Sequence, residues 1–436
     1  MSAPLVIRNG RVIDPVSGLD EILTIYIDHT RILSLGDQPK DFKAQHVIDA
    51  AGKLIIPGVI DLACRMREPG EEHKATIRSE GYAAAASGIT TLAIPPDTDP
   101  VIDDAPEVQL LRRRAKQSGR CWIIPIGALT RGLNGEALAE LAALKAEGCP
   151  AVSNGLRPIP DSRVLMNCLA YAATYDIPVM IQPSEPWLSR NGCVHDGAVA
   201  ARLGLPGIPE AAETTEIARV LALADATGAH VHFCRLSTAR GAEQIRHAKQ
   251  LGARISADVA MHQLFLSEQD INGFDSNCHV TPPLRTTDDR NALRHAVADG
   301  TIDSICSDHQ PHDFDAKDNP FMQTQPGISA LESLLPLGME LVESGVLTLA
   351  TLVRRLTCGP ARTLGLNVGR IAAGARADIT IINPDQPWRL TRGGLRSRGQ
   401  NSPFLQRRFS ARVTHTIFEG RVVFDLATEP PPHAAD

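Results

Sequence analysis

The stretch Ile55-Ile56-Pro57-Gly58-Val59-Ile60-Asp61-Leu62-Ala63-Cys64-Arg65-Met66-Arg67-Glu68-Pro69-Gly70 is an apolar run that passes directly into a loop dense in charge. A short apolar run of this kind reads as a buried strand, and the charged loop after it as the place where such a strand delivers chemistry. Seven comparable runs follow, at 90–95, 121–128, 151–154, 178–183, 230–236, 254–260 and 304–308, and with 54–65 they make eight. Helical periodicity fills the gaps at 75–87, 107–117, 135–146, 211–226, 238–250, 287–298 and 328–342, with a shorter helix starting near Asp161. Strands alternating with helices predict βα units around a parallel sheet, and eight such units close into a (β/α)8 barrel. In that architecture the functional residues sit at the carboxyl ends of the strands.

The flanks read differently. Residues 5–14 alternate around Asn9-Gly10, which predicts a hairpin, and strands are expected at 23–27 and 46–49. The far end repeats the pattern at 377–382 and 412–424, with a turn at Glu419-Gly420. One small β-sandwich built from both ends is therefore expected, with 1–53 and 369–436 supplying its halves and 54–368 forming the barrel between them. Residues 429–436, with Pro430-Pro431-Pro432, read as a frayed tail.

The chain has 436 residues, 43% of them apolar, and a formal net charge of −6. That balance gives no bias toward nucleic acid or an anionic membrane, and no apolar run reaches the roughly eighteen residues of a spanning helix. Nine scattered cysteines without a Cys-x-x-Cys pair, and no leader before Leu5, predict reduced thiols in a cytoplasmic protein.

The strand ends carry Ala63 and Arg65, Asp97, Asn154, Gln182, Arg235, the segment 260–262, and Asp308-His309. A barrel that activates water with zinc needs several neutral imidazoles and carboxylates converging on one point, and this set does not supply them. His230 and His232 lie at odd spacing from Arg235 on one strand, so they are expected to face away from it. Cys64 reads as a buried, inert thiol beside Arg65.

Motifs spread over most of the chain resemble those of dihydroorotases, the cyclic amidohydrolases of pyrimidine synthesis. They are Arg67-Glu68-Pro69-Gly70, Pro96-Asp97-Thr98-Asp99-Pro100, Leu203 to Pro209, Leu236-Ser237-Thr238, Pro282-Pro283-Leu284-Arg285, Ser307-Asp308-His309-Gln310-Pro311-His312 and Asn401-Ser402-Pro403-Phe404. The resemblance implies an amidohydrolase-type barrel with two metals, held by a His-x-His on strand one, an acidic or modified residue on strand four, histidines ending strands five and six, and an Asp ending strand eight. The matching positions here are Ala63, Arg65, Ser153-Asn154, Gln182, Arg235 and Asp308, so Asp308 alone keeps its residue type. The substrate-binding positions implied by the resemblance fall on Arg67, Asp97, Thr281 and His312.

From this substitution pattern the chain is expected to bind no metal or other cofactor and not to be an enzyme. The arginines are expected to pair with Asp308, with Glu185 nearby, as a salt-bridged plug. The resemblance is nearest to the pseudo-dihydroorotases of some bacteria, and it implies a non-catalytic subunit of an aspartate carbamoyltransferase complex, with homo-oligomeric contacts as well. Three alternatives remain open: a divergent or metal-independent cyclic amide or ureide hydrolase, a carboxylate sensor using Arg65, Arg67 and Arg235, and a free-standing homo-oligomer.

Overall fold

The computed structural model describes residues 3–428, so the tail at 429–436 lies outside the described residues. Eight parallel strands form the barrel: Val59–Asp61, Ile89–Ile94, Trp122–Pro125 with its continuation Gly127–Ala128, Val152–Ser153, Val179–Ile181, Val231–Phe233, Ile255–Ala260 and Ser304–Cys306. Ile89–Ile94 is buried along its whole length, as a strand covered on both faces must be, which is why it reads as an unbroken apolar run. The ring closes between the last and first strands, where Arg65 N–H donates to the His309 carbonyl at 2.9 Å and His309 N–H to that of Ala63 at 3.0 Å. Ring closure is thus made by the same residues that reach the mouth.

Between the strands lie helices including Ile77–Ala86, Ala105–Ser118, Ser162–Thr174, Ala211–Thr227, Ala239–Gln250, Thr287–Asp299 and Leu331–Glu343. Their starts follow local chemistry. Thr76 and Thr286 each make a reciprocal capping box, and Asp161 accepts from the backbone of Arg163 and Val164. On Ala211–Thr227 the buried positions Glu213, Ile217, Val220 and Ala224 repeat at three or four residues and give the inward stripe. The predicted helix at 135–146 is shorter than expected, running only over Leu141–Ala146.

Both ends of the chain meet in one eight-stranded sheet, with Ile379–Asn383 and Arg412–Phe418 joined to Leu5–Asp14 through Leu54–Pro57. The first apolar run is therefore divided at Gly58: its front half belongs to this sheet and Val59–Asp61 to the barrel. The expected hairpin at Asn9-Gly10 is instead a bulge within one continuous strand. Asn9 takes a left-handed φ of 63°, the pairing with Leu19–Asp28 shifts between Ile7 and Gly10, and an added Cβ on Gly10 would fall 2.3 Å from Ile55 Cδ1. The Asn-Gly signal served close packing rather than chain reversal. The sheet docks on the barrel through Thr380 Oγ1, which donates to the Gly88 carbonyl at 2.6 Å, and Thr416 Oγ1, which donates to that of Ala85 at 2.6 Å.

Candidate functional site at the barrel mouth

Leu62, Ala63, Ala93, Ile126, Ala151, Met180, Cys234, Ala260 and Cys306 fill the barrel lumen. Above them the charged residues meet. Asp308 is buried and takes a left-handed φ of 48°, which turns its carboxylate inward. Its Oδ1 lies 3.2 Å from Arg235 Nη1 and 3.6 Å from Arg65 Nη1, while Oδ2 accepts from Gln310 Nε2 at 3.1 Å. Arg235 Nε donates to Gln182 Oε1 at 2.5 Å. Arg65 reaches the other way: Nε donates to Asp97 Oδ2 at 2.9 Å and Nη2 lies 2.8 Å from the same atom. Arg65 thus stands between Asp97 and Asp308, and Asp308 between Arg65 and Arg235, both arginine side chains about 5–6% exposed and Asp97 24% exposed at the rim.

The electrostatics follow from burial set against pairing. Burial would lower the Arg235 pKa, yet the facing Asp308 charge raises it. Burial would raise Asp97, and the charge and hydrogen bond of Arg65, with Arg235 and Arg67 behind it, take it below the usual carboxylate value instead. Asp97 is therefore an arginine partner, not a bare charge set against an incoming carboxylate. Arg67 is held beside this pair by its own contacts: Nε to the Pro311 carbonyl at 3.0 Å, Nη1 to Glu71 at 2.8 Å, and Nη2 3.1 Å from His312 Nε2. Burial and the Arg67 charge push His312 far down, so its ring is neutral.

Other expected positions lie apart from the cluster. The Asn154 side chain is used in loop bracing, with Oδ1 accepting from Thr130 at 2.7 Å and Nδ2 donating to the Arg157 carbonyl at 2.9 Å, while its neighbour Ser153 faces the lumen. Among the described residues the Thr281 side chain makes no hydrogen bond to the cluster. Glu185 was expected near the plug, but its carboxylate accepts from Leu188 N–H at 2.7 Å and caps Pro186–Ser189 instead. His309 braces the ring: Nε2 lies 2.8 Å from Glu80 Oε2 and Nδ1 accepts from Ala330 N–H. Cys64 is fully buried, and burial raises its thiol pKa, so it has no thiolate character.

One expectation about direction fails. His232 lies inside the barrel on the side of Cys234: its Nε2 is 2.9 Å from Asp258 Oδ2, a ring nitrogen, Cys234 Sγ and an Asp258 oxygen lie within 4.8 Å of one another, and Asp258 Oδ1 also accepts from the backbone N–H of Arg235 at 2.6 Å. The strand alternation breaks because Arg235 has a left-handed φ of 53°, so Cys234 and Arg235 line the same small cavity. His230, in contrast, faces the amino ends of the strands beside Ser256, Asp303 and Arg362. His262, placed at a strand end by the sequence but assigned no role there, is 2% exposed, has both ring nitrogens unpartnered, and is pushed down to about 4 by burial. It faces Asp308 and Arg235, and Gln182 Nε2 is likewise without a partner. Only its place two residues past the seventh strand could have marked it.

A pair of divalent metals does not fit these side chains. At the positions matched to the family's ligands stand one carboxylate and two fixed guanidinium charges, and a cation placed among them would be repelled by both arginines. Below Arg235 a cavity of about 20 Å³, bounded by Ala63, Ser153, Cys234 and Asp258, has room for about one water.

A parallel eight-stranded barrel with a sheet made from both chain ends, and polar side chains gathered at the strands' carboxyl ends, is an architecture of the amidohydrolase class, and the comparisons place the chain there. Residues 52–241 match the Dihydro-orotase-like family and residues 198–424 the Amidohydrolase family. A dihydroorotase-like protein of Pseudomonas putida is 45% identical over 95% of this chain and 98% of its own length. A dihydroorotase of Syntrophotalea carbinolica is 40% identical over 97% and 99%. The L-hydantoinase (dihydropyrimidinase) structure from Arthrobacter aurescens superposes with a TM-score of 0.87 at 21% identity, covering 98% of this chain and 96% of that one, which shows the shared fold. The chain belongs to the dihydroorotase-like family of amidohydrolases. That corrects the expectation that it stands outside enzymes: relatives 39–40% identical over nearly the whole chain are named dihydroorotase, so its family is one of hydrolytic enzymes. Among the described residues no helix is long and apolar enough to cross a membrane.

Proposed function

We propose that this dihydroorotase-like barrel works in pyrimidine biosynthesis as a subunit of an aspartate carbamoyltransferase complex, holding the catalytic subunits of its partner. The observation that supports this reading is the ion-paired mouth, with Asp308 between Arg65 and Arg235 above a cavity for one water, in a barrel whose closure is intact. Side chains in that arrangement brace a scaffold, and the outer surface is then what a partner uses. The relatives named dihydroorotase or dihydroorotase-like support the place in pyrimidine synthesis. Affinity isolation of the chain from its source tests the proposal. Carbamoyltransferase should co-elute in fixed ratio, and elution of the two in separate size fractions refutes it.

A second reading is favoured by the unpartnered donors. Gln182 Nε2 and the His262 ring beside Arg235 suit a small carboxylate at the mouth. Titration calorimetry with carbamoyl aspartate and dihydroorotate should give heat that His262→Ala abolishes, and absence of heat with either ligand ends that reading. Because the two guanidinium groups at the mouth do not fit a metal pair, chelation should leave Tm unchanged and added zinc should elicit no ring-opening turnover. Turnover that appears on adding zinc contradicts this.

A further inference from the structure

Between Asp385 and Glu419 the chain carries seven arginines and no acidic residue, although the whole protein is net negative at −6. Surface arginines in water are ordinarily interleaved with carboxylates, and this segment has none of its own. The fold concentrates the effect. Trp388–Arg389 and Arg408–Phe409 form a two-stranded antiparallel ribbon in which Arg389 stands directly opposite Arg408. Like charges directly opposite on paired strands destabilise the pairing. Both residues are exposed, as is Arg392 in the next turn.

Two carboxylates that reach this segment are engaged by other residues. Glu340 pairs with Arg407 and Glu343 accepts from Ser410 Oγ. Among the described residues Arg389, Arg392 and Arg408 have no acidic partner. The ribbon is held rigid from beneath: Trp388 Nε1 donates to the Ala411 carbonyl at 2.9 Å, its ring packs against Phe409, and the Arg412 guanidinium lies 5.3 Å from the Trp388 ring centroid. The pinned ribbon fixes the spacing of the three backbone positions, so the guanidinium groups are presented together toward an anionic surface.

We propose that Arg389, Arg392 and Arg408 form a docking patch for an acidic segment of a partner protein. This rests on the reading of the chain as a subunit of a larger complex and names the face that such a partner uses. The acidic remainder of the chain disfavours a long polyanion, whose charge would extend past the patch into a repelling field, whereas a short acidic protein segment meets the arginines alone.

The test uses the full chain and its Arg389→Glu/Arg408→Glu and Arg389→Lys/Arg408→Lys variants, each checked for an unchanged melt since both sites are exposed. Binding to purified carbamoyltransferase and to polyglutamate is measured by sedimentation at low and high salt. The proposal predicts loss of at least about tenfold in affinity for both on charge reversal, retention in the lysine variant, and weakening by salt. Unchanged carbamoyltransferase and polyglutamate binding after reversal overturns it, as does a preference for duplex DNA over polyglutamate. If the unaltered chain ignores carbamoyltransferase yet binds polyglutamate through these arginines, the subunit reading fails and the patch stands. If it binds carbamoyltransferase equally well with the charges reversed, the patch fails and the subunit reading stands.

Discussion

At the scale of single residues, Asp308 carries the largest consequence of any side chain in the mouth. It is 1% exposed and faces two guanidinium groups, so removing one partner leaves a buried charge short of compensation. Arg235→Ala should lower unfolding free energy by roughly 3–5 kcal/mol, and replacing Arg235 and Asp308 together by apolar residues should cost far less than the single change. Urea denaturation of the two variants checks this, and equal losses would show that the pair is not coupled. The residue identities at this site were legible in sequence because motif spacing fixes where each strand ends. Their directions were not: Arg235, Arg67 and Asp308 all take left-handed backbone, which reverses the alternation that a strand pattern assumes. His262 was legible as a strand-end position but not in its role, because a lone histidine after a strand has no motif and only the folded neighbours show that its ring nitrogens go unpartnered.

At the scale of elements, two joints carry testable energies. Gly58 divides the terminal sheet from the barrel, its N–H donates to the Asp378 carbonyl, and an added Cβ would lie 2.1 Å from Thr90 Oγ1. Gly58→Ala should destabilise by about 1–3 kcal/mol through overpacking, readable as a lower urea midpoint at unchanged slope. Glu332 ties Leu331–Glu343 to the C-terminal segment by accepting from the backbone N–H of Arg396 and Ser397, and burial pushes it up to about 7. Its folded pKa lies above the unfolded value, so its contribution is complete below about pH 4 and is lost as pH rises toward 7. Glu332→Gln should flatten that decline, worth on the order of 3 kcal/mol, and an unchanged pH profile of stability would refute the assignment. The sequence showed these segments as strands and helices because burial periodicity is local. It could not show that the run from Ile55 serves two layers, since nothing in an apolar pattern says which neighbour covers it.

At the scale of the molecule, the fold that positions the site followed from alternation of short apolar runs with helical periods, and the meeting of the chain ends followed from their matching strand patterns. Closure of the ring and the commitment of each charge did not, because both depend on pairs more than two hundred residues apart, such as Arg65 with Asp308. The whole-molecule expectation is a protein whose thermal stability is indifferent to zinc: among the described residues the groups at the mouth do not fit a metal pair, and in the triad His232, Cys234 and Asp258 below it, which could take a single ion, His232 and Asp258 already satisfy each other and burial keeps the Cys234 thiol protonated. Differential scanning calorimetry with added zinc and with chelator should give superimposable transitions, and a zinc-dependent rise in Tm would contradict it.

The linked pairs Arg65 with Asp97 and Arg235 with Asp308 also bear on how the sequence can change over descent. Changing Arg65 alone to histidine would take from Asp97 its hydrogen-bonded partner, and changing Arg235 alone would leave buried Asp308 with only the longer contact to Arg65. Each single step is a loss of several kcal/mol before any new ligand is in place. A lineage carrying this mouth therefore sits behind a ratchet: neutral drift can vary the rim, while the pairs themselves can be exchanged only together.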